Sequence, residues 1–167
     1  LDGLRQFLAR EAGEGFGAGV GARAVVAGHG FVTKEDGADF LGELGFGGDD
    51  GLAVNALMRT PRGVAVDEAM NVFIADAGNH RIRKVNAATG EITTVAGTGS
   101  RGFNGDGGSA SLAQLDSPTD VALGPNGDLY LLDQYNQRVR RVAYDTQFIS
   151  TVAGDGSTGF SGDGGPA

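Results

Sequence analysis

A glycine-rich phrase that returns at a fixed interval is the feature that most constrains this chain. GFNGDGG at 102–108 returns as GFSGDGG at 159–165, 57 residues later, and GFGGDDG at 45–51 precedes it by the same interval. Around the phrase, the unit from Gly45 to Gly99 aligns without a gap with the unit from Gly102 to Gly156. Such a repeat forms one structural unit per copy, and neighbouring copies must bury each other's apolar surface.

Each unit contains four short strand candidates joined by turn residues such as Asn126–Gly127. Runs such as NVFIAD and DLYLLD are apolar on both faces, which predicts strands that are covered on both sides. We therefore predict an all-β fold, a β-propeller fragment of about two and a half four-stranded antiparallel blades with a period of 57 residues. The predicted strands are Arg62–Asp67, Asn71–Asp76, Arg81–Asn86 and Glu91–Gly97 in the first unit, and Thr119–Gly124, Asp128–Asp133, Arg138–Ala143 and Phe148–Gly154 in the second.

The repeat also divides the chain. We predict a partial propeller over 21–167, comprising the end of a blade (21–30), a loop insertion (31–42), two full repeats (43–99 and 100–156) and the start of another (157–167). The first 20 residues match no repeat, and their apolar spacing predicts a short amphipathic helix or linker. The chain does not begin with Met, which favours a fragment of a longer protein. Because so few blades leave apolar faces uncovered, we expect further blades in cis or self-association to complete the ring.

Composition excludes several classes of function. The net charge of −8 argues against general attraction to nucleic acid or anionic membranes. No apolar run approaches the roughly 20 residues of a membrane span, so we expect no membrane insertion. The absence of cysteine excludes disulfides and thiolate chemistry, and the first residues do not form a signal peptide.

The repeat resembles a known family at many positions in one register. P-x-x-V-A-V-D, N-V-F-I-A-D-x-x-N-x-R-I-R-K-V and T-V-A-G-T-G, followed by G-F-x-G-D-G-G-P-A, resemble the long bacterial-type repeats of NHL-repeat β-propellers. The resemblance implies a ring of six or so blades whose usual role is binding proteins, peptides, glycans or RNA. A few propellers of similar make are metal-dependent lyases or hydrolases. The resemblance also favours an extracellular or periplasmic location.

A second recurring motif is D-x-x-N-x-R, which spans the turn between the second and third strands. Asp and Arg so placed can pair across a hairpin, and the Asn can bond the backbone of its own turn. We predict a structural clasp at Asp76, Asn79, Arg81, Asp133, Asn136 and Arg138.

The glycine phrase has two readings. As architecture, it carries the chain from one blade to the next, with Phe46, Phe103 and Phe160 inserting as anchors. As a site, it places one carboxylate per blade on one face, a possible calcium ring at Asp49, Asp106 and Asp163. The spacing does not match an EF-hand, so we prefer the structural interpretation and expect no cofactor, with calcium as the alternative.

The third strands are rich in arginine and lysine (Arg81, Arg83, Lys84, Arg138, Arg140 and Arg141), which we expect on a solvated, partly paired face. A nucleic-acid role for them is disfavoured by the net charge and by few aromatic neighbours. No nucleophile–base pair stands out, which favours a non-catalytic binding or scaffold module for a protein, peptide or glycan. The alternatives are part of a metal-dependent propeller lyase or hydrolase, and an RNA-binding face. The candidate binding residues at the strand ends are Arg62, Asp120, Gln134 and Tyr135.

Overall fold

The computed structural model describes residues 45–159 and residue 162. The predicted helix over 1–20, blade end at 21–30 and insertion at 31–42 lie outside the described residues, as does most of 157–167. The described part contains two antiparallel sheets, one for each full repeat, joined by a long crossing loop.

The strands lie where the repeat predicts them. The first sheet contains β1 (Gly51–Leu52), β2 (Pro61–Val66), β3 (Val72–Asp76), β4 (Arg81–Val85) and β5 (Glu91–Ala96). The second contains β6 (Pro118–Leu123), β7 (Leu129–Asp133), β8 (Arg138–Val142) and β9 (Ile149–Ala153). Each of the eight long strands begins and ends within one residue of its predicted bounds. Single 3₁₀ turns lie at Ala53–Asn55, Ala77–Asn79, Ala110–Leu112 and Gln134–Asn136.

Both sheets are antiparallel meanders in which sequence neighbours pair. The strand orders are β1-β5-β4-β3-β2 and β6-β7-β8-β9. The short β1 was not predicted, because two residues carry no alternation, and it pairs with the outer edge of β5. An isolated bridge between Ser109 and Phe148 occupies the equivalent place in the second repeat.

Polar residues close the hairpins within each sheet. Asp67 Oδ1 accepts a hydrogen bond of 2.8 Å from the Asn71 backbone N–H in the turn between β2 and β3. In the second repeat, Gly127 has φ +81° and donates its N–H to the Gly124 carbonyl at 3.0 Å. The turn predicted at Asn126–Gly127 is therefore confirmed.

The two sheets share one apolar core. The crossing loop lies between them, with the Gly97 N–H donating to the Ala110 carbonyl and the Thr98 N–H to the Ala113 carbonyl, both at 2.9 Å. These bonds join the end of the first sheet to the loop that belongs to the second, and Gly97, Ala110 and Ala113 are buried there. The buried cluster draws on both sheets and the loop: Ala75, Ile82, Ala96, Ala110, Ala113, Leu115, Val121, Leu129, Leu131, Val142 and Ile149.

The inner strands β2 and β6 approach closely at Gly63. A Cβ atom at this position would lie 2.6 Å from the Asp120 Cα atom, nearer than van der Waals contact permits. Glycine therefore lets the backbones of adjacent sheets meet at the inner edge. Two sheets that each contain a four-stranded antiparallel meander and stack in this way confirm the predicted propeller-blade architecture.

The outward faces of this two-sheet stack retain apolar surface. Val64 and Val66 are each 37% exposed on the first sheet, and Leu132 is 42% exposed on the second. Their exposure agrees with the reason for expecting further blades or self-association, which stays a prediction. In the described residues, no helix has the length and apolar character needed to cross a membrane.

Candidate functional site

The D-x-x-N-x-R motif builds a tight corner between β3 and β4. Asp76 is fully buried and accepts two hydrogen bonds of 2.8 Å, one at Oδ1 from the Arg59 N–H and one at Oδ2 from the Asn79 side chain. A 3₁₀ turn follows, and His80 then takes the left-handed conformation with φ +53°. The carboxylate thus ties the corner to the chain segment that enters β2.

The second repeat builds the same corner. Asp133 is fully buried and accepts from the Asp116 N–H at 2.7 Å and from the Asn136 side chain at 2.8 Å. Gln137 takes the left-handed conformation with φ +52°, as His80 does in the first repeat. Burial raises the pKa of both Asp76 and Asp133, although the hydrogen bonds from the asparagines and backbone and the nearby arginines oppose it.

The arginine at the end of the motif does not pair with the aspartate at its start. Arg81 lies opposite Asp76 in the register, but its guanidinium donates to the Thr98 carbonyl at 2.6 Å and the Asn79 carbonyl at 3.4 Å. The guanidinium near Asp76 is that of Arg83, at 3.8 Å. The buried Asp76 carboxylate lies beside Arg83, two residues further along β4. The predicted pairing of Asp76 with Arg81 is therefore not formed.

The expectation of a solvated arginine face is wrong for Arg83 and Arg140. Both side chains are completely buried. Arg83 donates to Asp49 Oδ1 from Nε at 3.0 Å and from Nη2 at 2.6 Å, and also to the carbonyls of Leu57 at 2.9 Å and Gly47 at 3.0 Å. Its charge is therefore neutralised and its N–H groups are bonded inside the protein.

Arg140 repeats this network in the second sheet. It donates to Asp106 Oδ1 from Nε at 3.1 Å and from Nη2 at 2.6 Å, and to the carbonyls of Gln114 at 2.9 Å and Asn104 at 2.7 Å. It also lies 3.5 Å from Asp133 Oδ2. One guanidinium in each blade thus joins the corner aspartate to the glycine phrase.

The glycine phrase forms the loop that encloses this buried arginine. Gly48 and Gly105 have φ +84° and +89°, a conformation that side chains rarely adopt. A Cβ atom at either position would lie 2.7 or 2.8 Å from the Cα atom of Ala56 or Ala113, on the returning limb of the loop. The loop therefore closes around the guanidinium only with glycine at these two positions.

The carboxylates that the sequence offers as calcium ligands are bonded within this network. Asp49 Oδ2 accepts from the Thr94 hydroxyl at 2.6 Å and the Thr94 N–H at 3.1 Å, while Oδ1 accepts from Arg83. A calcium ion there would have to displace a guanidinium. No group of three or more potential metal-ligating side chains occurs in the part of the chain that the structure describes. Asp163 lies outside the described residues.

Burial and hydrogen bonding act in opposite directions on Asp106. Burial raises its pKa, but the hydrogen bonds from Thr151 and Arg140 outweigh burial and leave the pKa below its ordinary value. The ionised form is therefore the one that the blade stabilises.

The phenylalanines of the phrase lie against arginines and not in an apolar pocket. The Arg81 guanidinium carbon lies 3.6 Å from the centre of the Phe46 ring, and that of Arg138 lies 3.9 Å from the centre of the Phe103 ring. Phe46 is 38% exposed and Phe103 is 41% exposed. Each ring stacks on a cation at the blade surface, where such contacts contribute about 0.5–1 kcal/mol. Phe160 lies outside the described residues.

The corners position a set of exposed loops at one end of the sheets. We name the end at which β2, β4, β6 and β8 begin the arginine end, made of loops 58–60, 77–80, 97–101, 116–117 and 134–137. Gln134 and Tyr135 lie in its last loop and are exposed, and Arg62 is exposed at the start of β2. Asp120 is exposed further along β6, where its Oδ1 accepts from the Val121 N–H at 2.9 Å. The fold therefore brings three of the four predicted binding residues to the arginine end and leaves Asp120 on the inner strand.

Three residues at the arginine end were not predicted. Arg101 Nε donates to Asp116 Oδ2 at 2.8 Å, and the guanidinium carbon lies 5.8 Å from the centre of the Tyr135 ring. Asp116 is 6% exposed, and its other oxygen, 3.7 Å from His80 Nδ1, has no hydrogen-bond partner among the described residues. His80 Nδ1 accepts the Ser117 N–H at 3.0 Å, which links the two blades. The repeat alignment could have drawn attention to Asp116, because this residue lies at the position equivalent to Arg59 and carries the opposite charge.

Comparison with known proteins identifies one matching segment in each of the two repeats. The family model described as NHL repeat matches residues 58–85 and 115–142. Human NHL repeat-containing protein 2 is 32% identical over 132 residues, 72% of this chain and 18% of that protein. Protein SUPPRESSOR OF QUENCHING 1, chloroplastic, of Arabidopsis thaliana is 34% identical over 97 residues, 58% of this chain and 9% of that protein. The chain thus spans less than a fifth of either relative.

Solved structures match more distantly. A putative phosphatase from Bacteroides thetaiotaomicron has a TM-score of 0.43 and 21% identity over 55% of this chain and 22% of its own. A streptogramin B lyase structure has a TM-score of 0.41 and 14% identity over 57% of this chain and 26% of its own. The family assignment depends on the two matched repeats and on the blades that they form. Residues 58–85 and 115–142 of this chain are repeats of the NHL family.

Proposed function

We propose that this chain is a non-catalytic binding module that presents the strand-end loops of a propeller to a protein or peptide, with a glycan as a further class of ligand. Its two NHL repeats support a role in interactions. The proposal concerns the arginine end, where the exposed candidates Arg62, Gln134 and Tyr135 lie.

One observation carries the proposal: the buried arginine network is the same in both repeats, whereas the residues at the strand ends differ between them. Arg83 and Arg140 make equivalent hydrogen bonds, and their shortest contacts with Asp49 and Asp106 are both 2.6 Å. At the ends of the strands, equivalent positions hold different residues: Arg59 and Asp116, Arg62 and Thr119, Gly78 and Tyr135, and His80 and Gln137. A braced frame with unlike side chains at its edge suits recognition, because rigid loops lose little entropy on binding.

The chemistry of the buried groups supports binding over catalysis. Asp76 and Asp133 have raised pKa values, a property that often marks catalytic acids. Both carboxylates are instead fully buried and bonded on each oxygen to backbone or asparagine donors. Their environment suits a structural role, in which the carboxylate fixes a turn.

The test is a binding screen followed by a matched pair of variants in the full-length protein. Peptide and glycan arrays identify ligands, and calorimetry measures the dissociation constant of each. Tyr135→Ala is compared with Tyr144→Ala, because these tyrosines are 58% and 68% exposed at opposite ends of the blade. We expect the first change to weaken binding by roughly tenfold or more, the size of a typical aromatic hot spot, and the second to leave it unchanged. Equal effects of the two changes, or metal-dependent turnover of a lyase or hydrolase substrate, would overturn the proposal.

A further inference from the structure

Charge is divided between the two ends of the described blades. We name the opposite end, with loops 67–71, 86–90, 124–128 and 143–148, the carboxylate end. Its charged loop residues are all acidic: Asp67, Glu68, Asp128 and Asp145. The basic residues nearest to them are Lys84 and Arg141 on the adjoining strands, and Arg141 pairs with Asp128 at 2.9 Å. The arginine end, in contrast, carries exposed Arg59, Arg62 and Arg101. A chain with net charge −8 thus concentrates arginine at one end of its sheets.

Three carboxylates near the arginine end, those of Asp116, Asp120 and Asp155, offset only part of this charge. Arg81 and Arg138 also begin strands at this end, and their guanidinium groups donate to backbone carbonyls. Asp116 is buried and bonded to Arg101, and Asp155 lies beyond β9 at the outer edge, where its carboxylate accepts from the Ser157 N–H. The local field at the centre of this end is therefore positive, although the protein as a whole is acidic. Such local concentration of charge attracts a partner of opposite sign over a distance of about 10 Å.

Arg101 is oriented for an external anion. Its Nε atom donates to the buried Asp116, which fixes the plane of the guanidinium, yet its side chain is 71% exposed. Its terminal N–H groups make no hydrogen bond to any other described residue. The hydrogen bond to Asp116 and the negative charge of that carboxylate raise the pKa of Arg101 above its ordinary value. A guanidinium held in this way offers a planar pair of donors to a carboxylate.

Tyr135 supplies apolar contact beside this guanidinium. It is 58% exposed, and its N–H donates to the Asp116 carbonyl at 3.2 Å. Its backbone is thereby fastened to the segment that carries the partner of Arg101. An exposed aromatic ring next to an oriented arginine is a typical anchor of a peptide interface.

We propose that the arginine end binds an acidic segment of a protein, with Arg59, Arg62 and Arg101 receiving aspartate or glutamate carboxylates and Tyr135 packing on the intervening chain. This inference rests on the proposed function as a binding module and names the chemistry of its partner. An acidic peptide fits better than RNA for two reasons. Tyr135 is the single tyrosine or phenylalanine in the described loops of this end, and the nearest other exposed rings, Phe46 and Phe103, already stack on Arg81 and Arg138, so no row of free rings is provided for successive bases. The acidic carboxylate end also repels a polyanion long enough to pass around the ring.

The experiment measures fluorescence anisotropy of three labelled probes with the full-length protein at low and at physiological salt. The probes are a 12-residue peptide rich in Asp and Glu with one central Leu, the same peptide with Lys in place of each acid, and a single-stranded RNA of equal length. The variants are Arg59→Gln combined with Arg62→Gln, and Tyr135→Ala. Glu68→Gln and Tyr144→Ala serve as matched changes at the carboxylate end. Circular dichroism of each variant establishes that it is folded.

The proposal predicts binding of the acidic peptide that weakens with salt and no binding of the basic peptide at this end. The arginine pair should lower affinity by roughly tenfold, since two exposed ionic contacts contribute on that order, and both control variants should bind as the wild type does. The absence of acidic-peptide binding at low salt, tighter binding of RNA that depends on the same arginines, or equal losses in the Tyr144→Ala control would each overturn it.

The two proposals fail separately. A different ligand class from the array screen that depends on Tyr135 would refute the acidic partner and leave the binding module standing. Loss of all ligand binding, together with catalytic turnover, would refute both.

Discussion

The buried arginine of each blade makes a specific prediction about stability. In Arg140→Lys the charge is kept, but the five fixed donors of the guanidinium become the three donors of one ammonium group. Arg140 reaches two oxygen acceptors on the loop backbone, at 2.7 and 2.9 Å, and holds Asp106 through two of its nitrogens. One ammonium nitrogen cannot occupy all these places, so at least one or two buried acceptors lose their donor. Each such loss costs about 1–3 kcal/mol, which gives an expected loss of about 3 kcal/mol in the free energy of unfolding.

The neighbouring arginine is the control. Arg141 lies on the same strand, but its side chain is 39% exposed and it pairs with Asp128 at 2.9 Å. A partly exposed pair of this kind contributes under about 1 kcal/mol, so Arg141→Lys should change stability little. Arg83→Lys, at the position equivalent to Arg140, should repeat the larger loss.

The assay is urea unfolding followed by far-ultraviolet circular dichroism, because the chain contains no tryptophan. Midpoints are compared at constant slope, which separates a change in stability from a change in the denatured state. Equal and small losses for Arg140→Lys and Arg141→Lys would show that the buried network contributes nothing beyond a surface ion pair, and the reasoning from burial would then be refuted.

Three further changes test other parts of the structure. Burial raises the folded-state pKa of Asp133 above 3.8, so the contribution of Asp133 to stability is greatest at acid pH and declines as pH rises from about 3.8 through the folded value. Urea midpoints between pH 4 and 7 should therefore decline less in Asp133→Asn than in the wild type. Identical pH profiles of the two proteins would contradict this. Gly105→Ala places a Cβ atom against Ala113 at positive φ and should cost about 2–3 kcal/mol, whereas Gly107→Ala, at φ +81° with open space around it, should cost about 1 kcal/mol by the same assay. Leu132, 42% exposed on the outer face of the second sheet, tests the uncovered surface: if further blades cover it, Leu132→Lys in the full-length protein should lower the unfolding free energy by more than about 2 kcal/mol, and a change within about 0.5 kcal/mol would show that the face is free.

Strand positions were predictable because their signal is local. Apolar runs bounded by turn residues occur twice at a spacing of 57, so each repeat checks the other, and strand bounds agree with prediction to within one residue. Gly127 at φ +81° follows the same rule, since the backbone demand of a hairpin turn selects glycine directly. These features depend on residues close in sequence.

The partners of the charged residues were not predictable in the same way. Arg83 and Arg81 belong to the same alternating strand, and nothing in RIRKV shows that Arg83 is completely buried while Arg81 stacks on Phe46. Asp49, the partner of Arg83, lies 34 residues earlier, in a segment that the sequence alone also allows as a calcium-binding loop. The pairing forms because the glycine-rich loop before β2 folds back over the sheet.

The sequence by itself determined the repeat, the four-stranded unit and the need for each blade to cover the next, because hydrophobic patterning and turn chemistry act over a few residues. Only the tertiary structure decided which carboxylate meets which guanidinium, and that Arg101, Asp116 and Tyr135 meet at one end. Ion pairs and surfaces of this kind join distant segments, and burial selects among many pairings that look equivalent along the chain.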